Sequence, residues 1–278
     1  IMSLRENALN IYTSCLEKLE PRKRVYDYLS SLKTSIVDCD KIFPVAFGKA
    51  AFSMMDGLMT YLKSTNSTDK IHNLPIVISN SKSVPDYPIS EFITAHPTPN
   101  ENSVLAAKTV LKYTSEINTH DLSINLISGG GSSLLCLPHD DISLNDKVLV
   151  NNLLLKCGAS INEINTIRKH LSKIKGGRLS EHVYPSKSIS LIISDVINDD
   201  ISTIASGPTS IDHTTYSDAI DIFHRYKIEN EIPGNVMDLL KRGKSGQVSE
   251  SPKNLDNTDN RIICSNKIFR KELIQAAN

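Results

Sequence analysis

The sharpest chemical signal in the sequence is a run of glycines and serines at the end of an apolar segment. The run comprises Ser128, Gly129, Gly130, Gly131, Ser132 and Ser133. Glycines allow backbone N–H groups to turn towards a ligand, and serine hydroxyls add further donors. We expect these residues to bind a substrate or phosphate anion. The alternative is a tight strand-to-helix turn that needs glycine only for packing.

The standard nucleotide and metal motifs are missing around this run. A dinucleotide fingerprint needs a third glycine where Leu134 stands, and a Walker loop needs glycine at Phe43 and Ser or Thr at Ala50. The eight histidines show no zinc-ligand spacing. His96, which precedes a proline-rich stretch, is interpreted as structural. Any anion site must therefore be of another kind.

Two charged residues stand where apolar runs end. Lys49 follows the first run, where its ammonium group could meet a carboxylate or a phosphate. Asp195 closes the most apolar run, where it could hold Mg²⁺ or accept a proton from an attacking hydroxyl. Asp199, in the following loop, could supply a further metal ligand. We predict Lys49 and Asp195 as catalytic residues. An exposed lysine and loop-capping carboxylates are the alternatives.

A cluster of cations follows a helix-capping signature. Ser160 and Glu163 form a capping box, and the pattern predicts a helix that runs to Lys175, where two glycines end it. The candidate substrate- or phosphate-binding residues of this segment are Asn165, Arg168, Lys169, Lys175 and Arg178. A solvated basic face is the alternative for each cation.

The elements that must position these residues follow a strand–turn–helix rhythm. Short runs rich in Val, Ile and Leu alternate with amphipathic segments, which is typical of a mainly parallel sheet covered on both faces. The sequence therefore predicts a Rossmann-like three-layer α/β sandwich, with ligands at the carboxyl ends of the strands. The predicted strands cover residues 42–47, 74–79, 91–95, 124–128, 190–194 and 261–264.

Composition restricts the classes of partner that the protein is expected to bind. The 278 residues carry 31 basic and 31 acidic side chains, so no overall field favours nucleic acid. The five scattered cysteines suggest no disulfide framework, and no apolar run is long enough to span a bilayer. We expect a cytoplasmic protein that binds small molecules. Self-association into a homodimer stays open.

The polar, proline-containing stretch near residue 253 predicts a domain boundary. Residues 1–253 would form the Rossmann-like domain. Residues 254–278 would be a linker and the first strand and helix of a second domain.

Several of these motifs together resemble one family. The chain is similar over residues 5–275 to the N-terminal domain of glycerate kinases of the two-domain, hydroxypyruvate-reductase-like family. Asn198 departs from this pattern, because glycine is usual there. The motifs that carry the resemblance lie at residues 46–51, 96–103, 126–132, 158–172, 174–179, 193–200 and 204–209.

The resemblance implies ATP-dependent phosphorylation of D-glycerate, with Mg²⁺, in a cleft between two domains. The resemblance places these residues at motif positions of the family: Lys49, residues 129–133, Arg168, Lys169, Lys175 and Asp195. Because a cleft with a single wall cannot close over ATP, we expect this chain to be inactive by itself. An oxidoreductase acting on hydroxypyruvate and a non-catalytic anion-binding domain are the alternatives.

Overall fold

The computed structural model describes residues 3–32, 36 and 38–277. Its strands are β1 (Ile42–Phe47), β2 (Ile76–Ser79), β3 (Ser90–Ile93), β4 (Leu122–Ile127), β5 (Lys187–Ile193) and β6 (Thr258–Cys264). Its helices are α1 (Leu4–Lys18), α2 (Pro21–Ser31), α3 (Ala51–Ser64), α4 (Glu101–Thr114), α5 (Gly131–Leu134), α6 (Leu144–Lys156), α7 (Ile161–His170), α8 (Arg178–His182), α9 (Tyr216–Tyr226), α10 (Gly234–Lys244) and α11 (Asn266–Ala277).

Within the described residues the strands form a single sheet in the order β3-β2-β1-β4-β5-β6. All neighbouring strands are parallel, so the predicted fold class is confirmed. Every residue of the central strands β1 and β4 is buried, which explains their nearly continuous apolar sequence. The chain order reverses direction between β1 and β4. Ligands of such sheets bind at this switch point.

Helices cover both faces of the sheet. Buried side chains of α2 and α3 pack on one face, and those of α4 and α8 pack on the other. A separate apolar cluster joins α6, α7, α9 and α10 into a helical group beside the sheet. The helical block that the sequence predicts between the fourth and fifth strands is therefore half of a larger group. No described helix is both long and apolar enough to cross a membrane.

The helix boundaries contain one error of prediction. The capping boxes at Ser143 and Ser160 are present, so α6 and α7 begin where the sequence predicts. However, α7 ends at His170, whereas the predicted helix continues to Lys175. The chain then turns through Gly176, which has a φ of 58°. Lys175 thus approaches its neighbours from a loop and not from the helix.

The last strand bears on the predicted domain boundary. β6 pairs with β5 as the edge strand of the same sheet, and α11 contacts α1. The sheet therefore continues across residue 253. A second domain that begins at residue 254 stays a prediction.

Candidate functional site

The tips of β1 and β4 meet at the switch point. The Lys49 backbone N–H donates to the Gly129 carbonyl at 2.9 Å, and Ala50 N–H donates to Ser128 Oγ at 3.0 Å. The Ser128 hydroxyl is therefore engaged with the start of α3. We call residues 129–133 the glycine loop. Lys49 follows the end of β1 and lies directly beside the glycine loop.

Asp195 and His96 lie next to the same loop. A Cβ atom added to Gly129 would stand 2.2 Å from Asp195 Oδ2, so only glycine permits this approach. Gly130 has a φ of 83°, and an added Cβ would lie 3.0 Å from His96 Cδ2 and 3.4 Å from Lys49 Cε. Partial burial, together with the charge of Lys49, lowers the pKa of His96. Lys49, His96 and Asp195 thus surround the glycine loop.

A cavity of about 190 Å³ lies behind the loop, between it and the helical group. Gly130, Ser132 and Ser133 form its inner wall, and His96 lies at its edge. None of the lining residues is acidic in the part of the chain that the structure describes. We call this cavity the cation-lined pocket. Its polar and charged lining side chains are His96, Thr98, Ser132, Ser133, Cys136, Lys147, Asn151, Asn152, Arg168 and Lys175.

Arg168 reaches the pocket from the last turn of α7. Its Nε and Nη2 donate to Asn151 Oδ1 at 2.9 and 2.7 Å. Its Nη1 lies 3.5 Å from Asn165 Oδ1. Neutral amides therefore orient the guanidinium group without cancelling its charge. The side chain is held in place and remains able to pair with an anion.

Lys175 is almost completely buried, with 2% of its surface exposed. Its ammonium group donates to the carbonyl oxygens of Leu135 at 3.2 Å and Ala205 at 3.5 Å. Burial, reinforced by the charge of Lys147, lowers the pKa of Lys175 to about 7. A buried ammonium group that has only carbonyl partners is poised to bind a negative charge.

Sequence reasoning missed Lys147. It is 7% exposed and lines the pocket, and its Nζ has no hydrogen-bond partner among the described residues. Burial lowers the pKa of Lys147, and the neighbouring Cys136 side chain opposes this shift. The sequence did contain a signal for Lys147, because the apolar residues Val150 and Leu154, which are buried in the structure, lie on the same helix face. A lysine three and seven residues before two core positions is a cation on an apolar face.

A hydroxyl chain connects the glycine loop to α7. The Ser132 and Ser206 hydroxyl oxygens lie 2.8 Å apart, and Ser206 Oγ donates to Asn165 Oδ1 at 3.0 Å. Ala205 and Ser206 adopt positive φ values of 52° and 61°, a conformation that is costly for residues other than glycine. This strained turn places the Ser206 hydroxyl and the Ala205 carbonyl. Asn165 Nδ2 is buried without a hydrogen-bond partner among the described residues.

Two predicted cations are not brought to the pocket. Lys169 Nζ pairs with Asp212 Oδ1 at 3.2 Å, and both side chains are buried. Arg178 donates to the carbonyls of Lys169 and Ser249, each at 3.4 Å. This geometry gives no support to a substrate-binding role for Lys169 or Arg178.

The predicted metal ligands do not form a cluster. Asp195 is an exposed side chain beside the glycine loop, whereas Asp199 lines a different groove against α11. Among the described residues, no group of three or more His, Cys, Asp or Glu side chains is arranged to hold a metal ion. Asn198 has a φ of 67°, so it adopts the left-handed geometry that glycine usually supplies.

Comparison with known proteins identifies a family for this chain. A model of the family described as domain of unknown function DUF4147 matches residues 7–241. The chain is 36% identical to D-glycerate 2-kinase of Thermotoga maritima, over 94% of this chain and 58% of that protein. It is also 36% identical to glycerate 2-kinase of Pyrococcus horikoshii, over 99% of this chain and 63% of that protein.

A solved structure shows the same architecture. The glycerate kinase structure from Thermotoga maritima superimposes with a TM-score of 0.85 at 34% identity, over 99% of this chain and 62% of that chain. The chain thus spans less than two thirds of the length of these relatives. Because the family model covers most of the chain and the fold agrees with that of a relative, this chain belongs to the DUF4147 family.

Proposed function

We propose that this chain forms part of an ATP-dependent kinase that phosphorylates D-glycerate. One observation carries the proposal: Lys49, Asp195 and a pocket lined by buried cations all adjoin the same glycine loop at the switch point of the sheet. The names of the relatives support it. A kinase for a small acid needs a site for an anionic acceptor beside groups that handle a phosphoryl group.

The chain's residues suit phosphoryl transfer, which depends mainly on positioning and on stabilising charge. In the proposed reaction the glycerate hydroxyl oxygen bonds to the γ-phosphorus of ATP while the bond from that phosphorus to ADP breaks. The Asp195 carboxylate accepts the hydroxyl proton. The Lys49 ammonium group offsets the negative charge of the transferred group. Both residues are accessible, as a reaction with a bulky nucleotide requires.

Mg²⁺ belongs to this proposal as a partner of ATP. Bound to nucleotide phosphates, it usually needs only one or two protein carboxylates, and Asp195 offers one next to the glycine loop. Mg²⁺ would supply charge neutralisation on the phosphates. Asp199 stays a weaker predicted ligand because it faces another groove. The cytoplasmic location and self-association stay predictions.

An ADP-release assay with D-glycerate, ATP and Mg²⁺ on the full-length protein tests the proposal. We expect Asp195→Asn and Lys49→Met each to lower kcat by about 100-fold or more. Lys156→Met is a matched control, because Lys156 is an exposed lysine at the end of α6. Absence of turnover in the unmodified protein would refute the kinase and leave a non-catalytic anion-binding domain.

The oxidoreductase alternative is weaker. The third glycine of a dinucleotide fingerprint is replaced by Leu134, whose side chain is completely buried in the core. In the fingerprint this glycine lets the helix pack closely against the strand, so a buried leucine there departs from dinucleotide-binding geometry. A fluorescence titration with NADH tests this alternative. Binding at micromolar NADH would revive it.

A further inference from the structure

Three cations meet in the cation-lined pocket, and no carboxylate lines it among the residues that the structure describes. Lys147 comes from α6, Arg168 from α7 and Lys175 from the loop after α7. Lys147 and Lys175 are 7% and 2% exposed. The partners of Arg168 and Lys175 are neutral amide and carbonyl oxygens, and Lys147 Nζ has none among the described residues. Burial of like charges in this way is costly unless an anion joins them.

We infer that Lys147, Arg168 and Lys175 together bind the carboxylate of a small hydroxy acid in the cation-lined pocket. The identity of that acid as glycerate rests on the proposed function. Lys147 thereby becomes a substrate-binding residue. The pocket is the acceptor site, and the nucleotide phosphates bind on the other side of the glycine loop, against Lys49 and Asp195.

The size of the pocket favours this division. Sites for drug-sized ligands have volumes of roughly 300–1,000 Å³, so a cavity of about 190 Å³ suits a molecule of only a few carbon atoms. A cavity of this volume cannot enclose a whole nucleotide. A three-carbon acid fits, and its charge matches the lining. The pocket also shares Gly130 and His96 with the surroundings of Lys49 and Asp195, so a bound acceptor lies close to the proposed transfer site.

The neutral groups of the pocket suit the rest of such an acid. The hydroxyls of Ser132 and Ser133 and the side-chain amide of Asn152 line the cavity. They can both donate to and accept from alcohol groups, whereas the cations can only donate. The carboxylate of the bound acid would pair with the cations, and its hydroxyls would bind to these neutral side chains.

Isothermal titration of the full-length protein with D-glycerate, without ATP, tests the inference. Lys147→Met keeps the length of the side chain and removes its charge. We expect this variant to weaken D-glycerate binding by at least ~30-fold, because the loss of one buried charged partner is costly. Lys156→Met, on the same helix but exposed, should bind as the unmodified protein does. Glycerol, which has the hydroxyls but lacks the carboxylate, should not bind measurably.

Kinetics separates this inference from the proposed function. In the ADP-release assay, Lys147→Met should raise KM for D-glycerate and leave KM for ATP and kcat within about threefold, because only acceptor binding is lost. Turnover with an unchanged KM for D-glycerate would overturn the inference and leave the kinase standing. Binding that depends on Lys147 without any ADP release would support the pocket and overturn the kinase. Circular dichroism checks that the variant is folded.

Discussion

Two neighbouring cations of α7 have opposite surroundings. Arg168 faces the cation-lined pocket and is held only by amide oxygens, chiefly that of Asn151. Lys169 points in a different direction from the helix and pairs with the buried carboxylate of Asp212. Successive residues of a helix point about 100° apart, so adjacent side chains enter different environments. The partner of a buried cation, and not its burial, distinguishes a binding residue from a structural one.

Lys169 is part of a buried polar network. Asp212 also accepts from the hydroxyls of Thr214 and Ser251. Nearby, His170 Nε2 lies 2.9 Å from Glu250 Oε1. The charges of Lys169 and Asp212 offset each other, so this pair needs no ligand to balance it. The pocket has charges of one sign only.

The largest effect is expected from breaking the Lys169–Asp212 pair. Lys169→Met leaves the Asp212 carboxylate buried without its cation, so the free energy of unfolding should fall by about 3–5 kcal/mol. Urea denaturation measures this change. D-glycerate binding at 10 °C should change by less than about threefold, with circular dichroism used to check that the variant is folded at that temperature. A loss of less than about 1 kcal/mol would contradict the structural role of the pair.

Arg168→Met should show the opposite pattern. It removes one cation of the pocket, so the dissociation constant of D-glycerate should rise by ~30-fold or more. The free energy of unfolding should change by less than about 1 kcal/mol, because Arg168 has no buried carboxylate to leave unpaired. Titration calorimetry and urea denaturation measure the two quantities. If Arg168→Met is as destabilising as Lys169→Met, the distinction between the two cations fails.

The affinity of the pocket should depend on pH. Burial lowers the pKa of Lys175 to about 7, so in the free protein this lysine loses its charge as the pH rises above 7. A bound carboxylate favours the charged form, and binding above that pH therefore requires uptake of a proton. Affinity for D-glycerate should fall above pH 7, by at most about tenfold per pH unit.

Calorimetry at pH 6.5 to 9 checks this dependence. The other groups that face Lys175 are Lys147, Arg168 and Cys136, and His96 lies at the edge of the same pocket. The pKa of His96 is lowered, which moves its titration away from the range above pH 7. Lys175→Met should weaken binding and flatten the profile. A profile that is equally steep in Lys175→Met would assign the titration to another group.

The smallest effect is expected at the surface. Lys173 pairs with Asp140 at 2.8 Å, and both side chains are substantially exposed. Exposed ion pairs contribute little, so Lys173→Met should lower the free energy of unfolding by about 1 kcal/mol or less. D-glycerate binding should be unchanged. A larger effect on binding would mean that the cluster of cations acts as a general basic surface and not through the pocket.

Most of the fold could be predicted from the amino-acid sequence. Continuous apolar runs predicted strands because a parallel sheet buries both of its faces, and capping boxes marked the starts of α6 and α7. The end of α7 was predicted five residues too late, because the apolar spacing continues through Leu171 and Ile174. Both side chains are buried, but in a loop.

The site could be predicted only in part. Lys49, the glycine loop and Asp195 follow strands, and parallel strands bring their carboxyl ends to one edge, so their proximity follows from sequence order. The surroundings of the cations do not follow from sequence order. They depend on which carboxylates are brought close by segments that are distant in the sequence. Asp212 reaches Lys169, whereas Arg168 pairs with no carboxylate of the described part of the chain. No local pattern encodes that difference.

The amino-acid sequence by itself determined the alternation of strands and helices, the glycine turn and the charged residues at the strand tips, because each depends on local spacing and backbone freedom. Tertiary packing decided that Lys147 Nζ is buried without a hydrogen-bond partner among the described residues and that Lys169 is paired with Asp212. The reason is physical: the free energy of a buried charge is set by every group within a few ångströms of it, and those groups come from α6, α7 and loops far apart in the chain.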